Sequence, residues 1–201
     1  MGDKKSKPKK IPSQSQSQPG EEHKMKPQPE IIRSNYKGSN KLKGKVAFIT
    51  GGDSGIGRSV AVHFAREGAS VAIVYLEENA DAQETKRMVE EEGGSCLILE
   101  GDLKDAAFCK KSIASCIKKF KKLNILVNNA AVQFPKDRLE QISEKQLEKT
   151  FRTNIFAYFY IAKAAVVNCF QNCILVDYSQ VISGDAPVLS RCELLSELYF
   201  S

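Results

Sequence analysis

The sequence has no tryptophan, two histidines and six cysteines among 201 residues. Each shortage excludes something. Cys96, Cys109, Cys116, Cys169, Cys173 and Cys192 form no Cys-x-x-Cys pair and come after no secretory signal, which excludes a disulfide framework. They read as reduced thiols of a cytoplasmic protein. Cys169 and Cys173 lie one helical turn apart, but with only His23 and His63 elsewhere no metal centre is expected. No apolar run approaches the roughly 18 residues that a membrane-spanning helix needs, so no transmembrane segment is expected. Basic residues are plentiful but unevenly placed. Residues 1 to 45 hold 12 Lys and Arg against 4 Asp and Glu, and the rest of the chain holds 18 against 20. The net charge of +6 therefore belongs to the N-terminal segment, and the remainder is not built as a nucleic-acid binder.

Residues 1 to 44 are rich in Lys, Pro, Gln and Ser and contain few groups to bury, so they read as a basic tail, disordered or draped over a domain. Met1-Gly2-Asp3-Lys4-Lys5-Ser6 matches the N-myristoylation pattern formally, but Asp3 sits beside the acceptor glycine and a solvated tail is the preferred reading.

Strand, glycine turn and helix come next. Val46-Ala47-Phe48-Ile49-Thr50 is apolar without alternation, as in a strand buried on both faces of a parallel sheet. After Gly51-Gly52-Asp53-Ser54-Gly55-Ile56-Gly57, the residues Ile56, Val60 and Phe64 recur at helical spacing with Ala61 and Ala65 beside them, and Gly68 is the expected stop. Glycines between a strand and a helix permit a tight turn and let backbone amides close on an anion at the helix N-terminus, which points to a diphosphate.

The pattern then repeats. Ser70 to Tyr75 reads as a second strand, Asn79 to Glu92 as a helix stopped by Gly93-Gly94, and Cys96 to Leu99 as a third strand ending in Gly101-Asp102-Leu103. Asp105 to Phe120 has helical spacing, and Leu123 to Val127 is a fourth strand running into Asn128-Asn129-Ala130-Ala131. Ser143 with Gln146 forms a capping box for a helix whose expected stripe is Leu147, Phe151, Ile155, Tyr158 and Ala162, with Asn154 on the same face. Alternating strands and helices predict an α/β fold, a Rossmann-type doubly wound parallel sheet binding its ligand beyond the carboxyl ends of the strands. In such folds a group at the end of the second strand meets the adenosine ribose. Tyr75, followed by Leu76, Glu77 and Glu78, occupies that place and leaves NAD against NADP undecided; Arg58 is either within reach of a phosphate or simply solvated.

Thr50-Gly-x-x-x-Gly-x-Gly57, together with Asn128-Asn129-Ala130-Ala131 and Thr153-Asn154-Ile155, resembles the motifs of the short-chain dehydrogenase/reductase family, with Ala131 where glycine is usual. Tyr36 to Lys45, Gly51 to Gly57 and Phe151 to Phe156 look like the branch of plant glucose and ribitol dehydrogenase homologues, and the resemblance covers about residues 11 to 165. It implies an NAD(P)-dependent oxidoreductase acting on a sugar, polyol or other carbonyl or alcohol. It also implies cofactor contacts from Gly51, Gly55, Ile56 and Gly57 at the diphosphate, from Asp53, Ser54 and Tyr75, and from Asp102 and Leu103 at the adenine. Asn128 and Ala130 would line the nicotinamide-ribose side. Asn154 would belong to the catalytic tetrad, bending its helix and holding a relay water, and family members are homo-oligomers.

Proton transfer in the family uses Tyr-x-x-x-Lys, in which the ammonium one turn away lowers the phenol pKa. The 201 residues contain no such motif, and Lys163 is the last lysine. From Val166 the sequence diverges, with one expected strand, Cys173 to Val176, and Ser179 close to where the family serine belongs. The expected organisation is thus a tail (1–44), a dinucleotide-binding domain (45–165) and a divergent end (166–201), reading as a sheet incomplete on its C-terminal side. Two alternatives to turnover accompany it, a dinucleotide binder without catalysis and an interaction fragment.

Overall fold

In a computed structural model of the chain, residues 24–168, 174–177 and 190–191 are described. The chain divides into Met1–Glu30 and Ile31–Ser201. In the first unit, residues 24–30 are exposed throughout.

The second unit begins its sheet at β1 (Val46–Thr50), buried at every position. It continues through α1 (Gly55–Arg66), β2 (Ser70–Tyr75), α2 (Asn79–Glu91), β3 (Cys96–Glu100), α3 (Ala106–Phe120) and β4 (Ile125–Asn128). After these come α4 (Glu144–Phe151), a π-helical turn (Arg152–Phe156), α5 (Ala157–Asn168), β5 (Ile174–Asp177) and a two-residue β6 (Ser190–Arg191). The strand order is β3-β2-β1-β4-β5-β6. The first five strands pair in parallel and β6 pairs antiparallel with β5. The direction of winding reverses between β1 and β4, which is where a doubly wound sheet opens its binding crevice.

Absence of alternation in the strand sequences results from burial on both faces. Val46, Phe48, Val74 and Leu126 pack with Cys109, Ile113, Ala157 and Ile161 in one layer. Ala47, Ile49, Ile73 and Val127 pack with Ala61, Val62, Ala65 and Val89 in the other. Each large side chain so buried contributes about 1.5–3 kcal/mol.

Local signals set the helix ends. Gly68 takes φ +91 after α1 and Gly93 takes φ +81 after α2, as stops require. Asp105 caps α3 through the Ala107 amide at 2.8 Å. Ser143 and Gln146 form the reciprocal box at α4.

Two expected stripes are corrected. In α1 the expected Ala61 and Ala65 are buried and Val60 and Phe64 pack against the core beside them, but Ile56 is 60% exposed and the face is completed by Gly57, Arg58 and Val62. Further on, Leu147, Phe151 and Ile155 are exposed, whereas the expected Tyr158 and Ala162 face the core together with Ala157, Ile161 and Ala165. The π turn explains this second shift: its extra residue turns the buried face of α5 away from the face that continues α4.

Residues 31–44 are draped on the body. Ile31, Ile32 and Leu42 pack against the α1–α2 layer. Glu67 gathers the Tyr36 hydroxyl, the amides of Ser39 and Lys41 (3.0 Å each) and Ser39 Oγ at 3.2 Å. Arg66 Nη1 donates to the carbonyls of Arg33 and Tyr36 at 3.1 and 2.9 Å.

Candidate functional site: the turn at the start of the first helix

Thr50 ends β1 with no exposed surface. Its hydroxyl accepts the amides of Asn129 and Ala130 at 2.9 and 3.0 Å and donates to the Val127 carbonyl at 3.4 Å. The Asn129 side-chain amide donates to the carbonyls of Thr50 (3.0 Å) and Gly51 (2.8 Å). The loop after β4 is thereby tied to the glycine turn, across the crevice where winding reverses.

The three motif glycines do different things. A Cβ on Gly57 would stand 1.9 Å from the Gly51 carbonyl oxygen and 2.6 Å from Asn129 Nδ2, so the turn closes on itself only because that position has no side chain. Gly51 has φ +61, and a Cβ there would meet the Ala130 Cα at 2.9 Å. Gly55 has φ +52 and open space where its Cβ would be. That space lies at the first residue of α1, whose N-cap Ser54 makes no side-chain cap bond and whose first turn holds no acidic residue. The first turn thus leaves its backbone amides and the positive end of the helix dipole to the opening, which suits a phosphate. Ile56, exposed beside it, offers an apolar wall. The residues present fit a dinucleotide diphosphate.

Arg58 corrects both sequence readings of it. It is 5% exposed. Its Nε donates to the Asp53 carbonyl (3.0 Å) and Thr85 Oγ1 (2.9 Å), and its Nη2 donates to the Asp53 carbonyl (2.7 Å) and Asp81 Oδ1 (2.9 Å). Thr85 donates to the same Asp53 carbonyl at 2.8 Å, so α2 braces the turn. The Asp53 carboxyl, joined by Ser54 Oγ at 3.3 Å, is raised above its ordinary pKa by burial first.

Along the strand ends, Tyr75 is buried and its phenol donates to Glu100 Oε2 at 3.3 Å; burial, then the Glu100 charge, raises its pKa. Asp102 Oδ1 accepts the Lys104 amide at 2.9 Å and its Oδ2 pairs with Lys104 Nζ at 3.1 Å, which fixes the turn after β3; Leu103 is buried beneath. Asn128 is 2% exposed, and its Oδ1 has no hydrogen-bond partner among the described residues. Ala130, half-buried, comes two residues later at the crevice.

Asn154 lies in the π turn, where its amide makes two bonds to one residue: Oδ1 accepts the Val132 amide and Nδ2 donates to the Val132 carbonyl, both at 2.9 Å. It pins the loop after β4 to the helical arm. Ser179 lies outside the described residues. Burial pushes the thiols of Cys96, Cys109 and Cys116 up to about 12, so they stay protonated near neutrality.

Thr50 and Asn129 stand inside the quoted motifs without an assigned role there, and Val132 is the site residue that motif reading passed over. A threonine closing an apolar strand run was the available signal, since a buried hydroxyl needs partners.

Fold and turn define an α/β protein of the doubly wound type. The chain belongs to the short-chain dehydrogenase family, whose profile matches residues 45–172. It is 46% identical over 180 residues to the uncharacterised oxidoreductase YhdF of Bacillus subtilis, an alignment covering 89% of this chain and 62% of that one. It is 41% identical over 186 residues to the glucose and ribitol dehydrogenase of Daucus carota, covering 89% and 64%. The chain thus spans less than two thirds of the length of these relatives. Among solved structures, a short chain dehydrogenase from Burkholderia cenocepacia in complex with NADP superposes with a TM-score of 0.64 at 29% identity, over 68% of this chain and 55% of that one. Carveol dehydrogenase from Mycobacterium avium in complex with NAD gives 0.63 at 26%, over 68% and 54%. No helix among the described residues is long and apolar enough to cross a membrane.

Proposed function

We propose that this chain is the cofactor-holding part of an NAD(P)-dependent oxidoreductase for a sugar, polyol or other carbonyl or alcohol, and that these 201 residues bind the dinucleotide without turning substrate over. The observation that carries the reading is the open space at Gly55, at the first residue of a helix whose N-cap makes no side-chain bond, framed by Gly51 and Gly57. In this reading Gly51, Ser54, Gly55, Ile56 and Gly57 hold the diphosphate, and Asp53 and Tyr75 bound the adenosine ribose. Asp102 and Leu103 meet the adenine, and Asn128 and Ala130 line the nicotinamide-ribose side. The bound nicotinamide supplies hydride transfer. Asn154, whose side-chain amide is held by Val132, keeps the relay role that family resemblance gives it. The proton-transfer partner is what these residues lack, because no Tyr-x-x-x-Lys occurs in the sequence. The carrot relative's name supports the substrate class.

Calorimetric titration of the purified chain with NADH and NADPH, beside a turnover assay on aldehydes, glucose and ribitol, tests this. Saturable binding with no turnover is expected. Turnover would refute the catalytic part, and a folded chain that binds neither dinucleotide would refute the whole.

A second reading, assembly with other copies or subunits of the family, is favoured by one observation. Leu147, Phe151, Ile155, Phe156 and Phe159 are 44 to 53% exposed along α4, the π turn and α5.

A further inference from the structure

Where an adenosine ribose would lie, at the carboxyl end of β2, the fold presents acidic groups and has already committed the neighbouring cation. The Gly51 and Gly52 amides both donate to the Val74 carbonyl, at 2.8 and 3.3 Å, so the glycine turn crosses this strand end and brings Asp53 next to Tyr75. Tyr75 itself offers no carboxylate, and its phenol is committed to Glu100 on β3. Asp53 is differently placed. Its backbone carbonyl takes the bonds from Arg58 and Thr85, while among the described residues its carboxylate receives Ser54 Oγ and its own backbone amide. Arg58, the natural candidate to neutralise a phosphate here, is 5% exposed and bound to Asp53, Thr85 and Asp81. Lys104, beyond β3, is paired with Asp102 at 3.1 Å.

A ribose 2′-hydroxyl needs an acceptor, whereas a 2′-phosphate needs an uncommitted Arg or Lys. We propose that Asp53, delivered by the glycine turn, does the work usually done by an acidic residue at the end of the second strand. Its carboxylate accepts the 2′-hydroxyl of NAD(H) and repels the 2′-phosphate of NADP(H). The inference rests on the dinucleotide reading above and adds the choice of cofactor to it. Burial raises the Asp53 pKa, against the hydrogen bonds from its own backbone and Ser54 that lower it.

The test is calorimetric titration of the whole 201-residue chain, and of its Asp53→Asn and Asp53→Ser variants, with NADH and NADPH, each protein checked by thermal unfolding. Wild type should bind NADH at least about tenfold more tightly than NADPH, and Asp53→Ser should bring the two to within about threefold. Equal or tighter binding of NADPH by wild type overturns the proposal while leaving the dinucleotide reading intact. A preference for NADH that persists unchanged in variants of wild-type melting temperature overturns the role of Asp53. Should both variants unfold, competition of ADP-ribose against its 2′-phosphate on wild type decides the matter, equal potency being the adverse result. Binding of neither dinucleotide by the folded chain overturns the dinucleotide reading and this inference with it.

Discussion

Gly55 and Gly57 are glycines for opposite reasons. Gly57 has no room, because its missing Cβ would collide with the Gly51 carbonyl at 1.9 Å. Gly57→Ala should therefore cost stability directly, by about 1–3 kcal/mol, as a lowered urea midpoint. Thr50 is the other residue on which the turn depends. Thr50→Val strands the amides of Asn129 and Ala130 without their acceptor and should cost about 1–3 kcal/mol, whereas Thr50→Ser keeps the hydroxyl and should recover most of it. Glycine spacing was legible because a tight turn restricts the choice of residue. Asn129 was not, since two adjacent asparagines look alike until the fold directs one to the Thr50 and Gly51 carbonyls and the other into the sheet. Arg58 was illegible for a related reason. Its partners Asp81 and Thr85 stand on another helix, 23 and 27 residues away.

Among the elements, the five parallel strands were legible because two-sided burial leaves uninterrupted apolar runs, and their ends moved by only a residue or two, whereas the two-residue β6 has no such run and was not foreseen. The arm after β4 was less so. A single apolar stripe was expected through Leu147, Phe151 and Ile155, but the π turn at Arg152–Phe156 changes the phase, and a sequence pattern at fixed period cannot register an inserted residue. Asn154 is the polar residue in that turn. Asn154→Ala should release the loop after β4, seen as faster hydrogen exchange at the Val132 amide, with exchange in β1 and β2 unchanged.

The strap of residues 31–44 makes a pH prediction. Hydrogen bonds from Tyr36 first, then from the Lys41 and Ser39 amides, lower the Glu67 pKa from 4.5 to about 2. A depressed folded-state value stabilises docking above pH 4.5, and that contribution is lost as pH falls from there towards 2. The Glu67 hydrogen bond raises the Tyr36 pKa above 10.0, so the phenol's contribution is complete below that pH and fades as pH rises through the raised value. Exchange of the Ser39 and Lys41 amides should be slow in between and accelerate in acid, and Glu67→Gln should weaken this acid response.

At the scale of the whole molecule, the sheet carries the glycine turn at the ends of its strands while the helical arm displays apolar side chains. Phe156 and Phe159 are 44% and 51% exposed, close enough in sequence to form one patch. Sedimentation velocity should show concentration-dependent association that Phe156→Glu with Phe159→Glu diminishes; a wild-type chain that stays monomeric throughout would remove the assembly reading. The central claim, that the opening at the start of α1 holds a dinucleotide, is tested most directly at Gly55. A side chain there meets nothing within 4 Å, although φ +52 adds modest backbone strain, so Gly55→Asp should fold and place a carboxylate where the diphosphate belongs. Titration of wild type and Gly55→Asp with NADH, alongside their melting temperatures, should show saturable binding by wild type and at least about a hundredfold loss in the variant at nearly unchanged thermal stability. Undiminished binding by a folded Gly55→Asp chain would contradict the account.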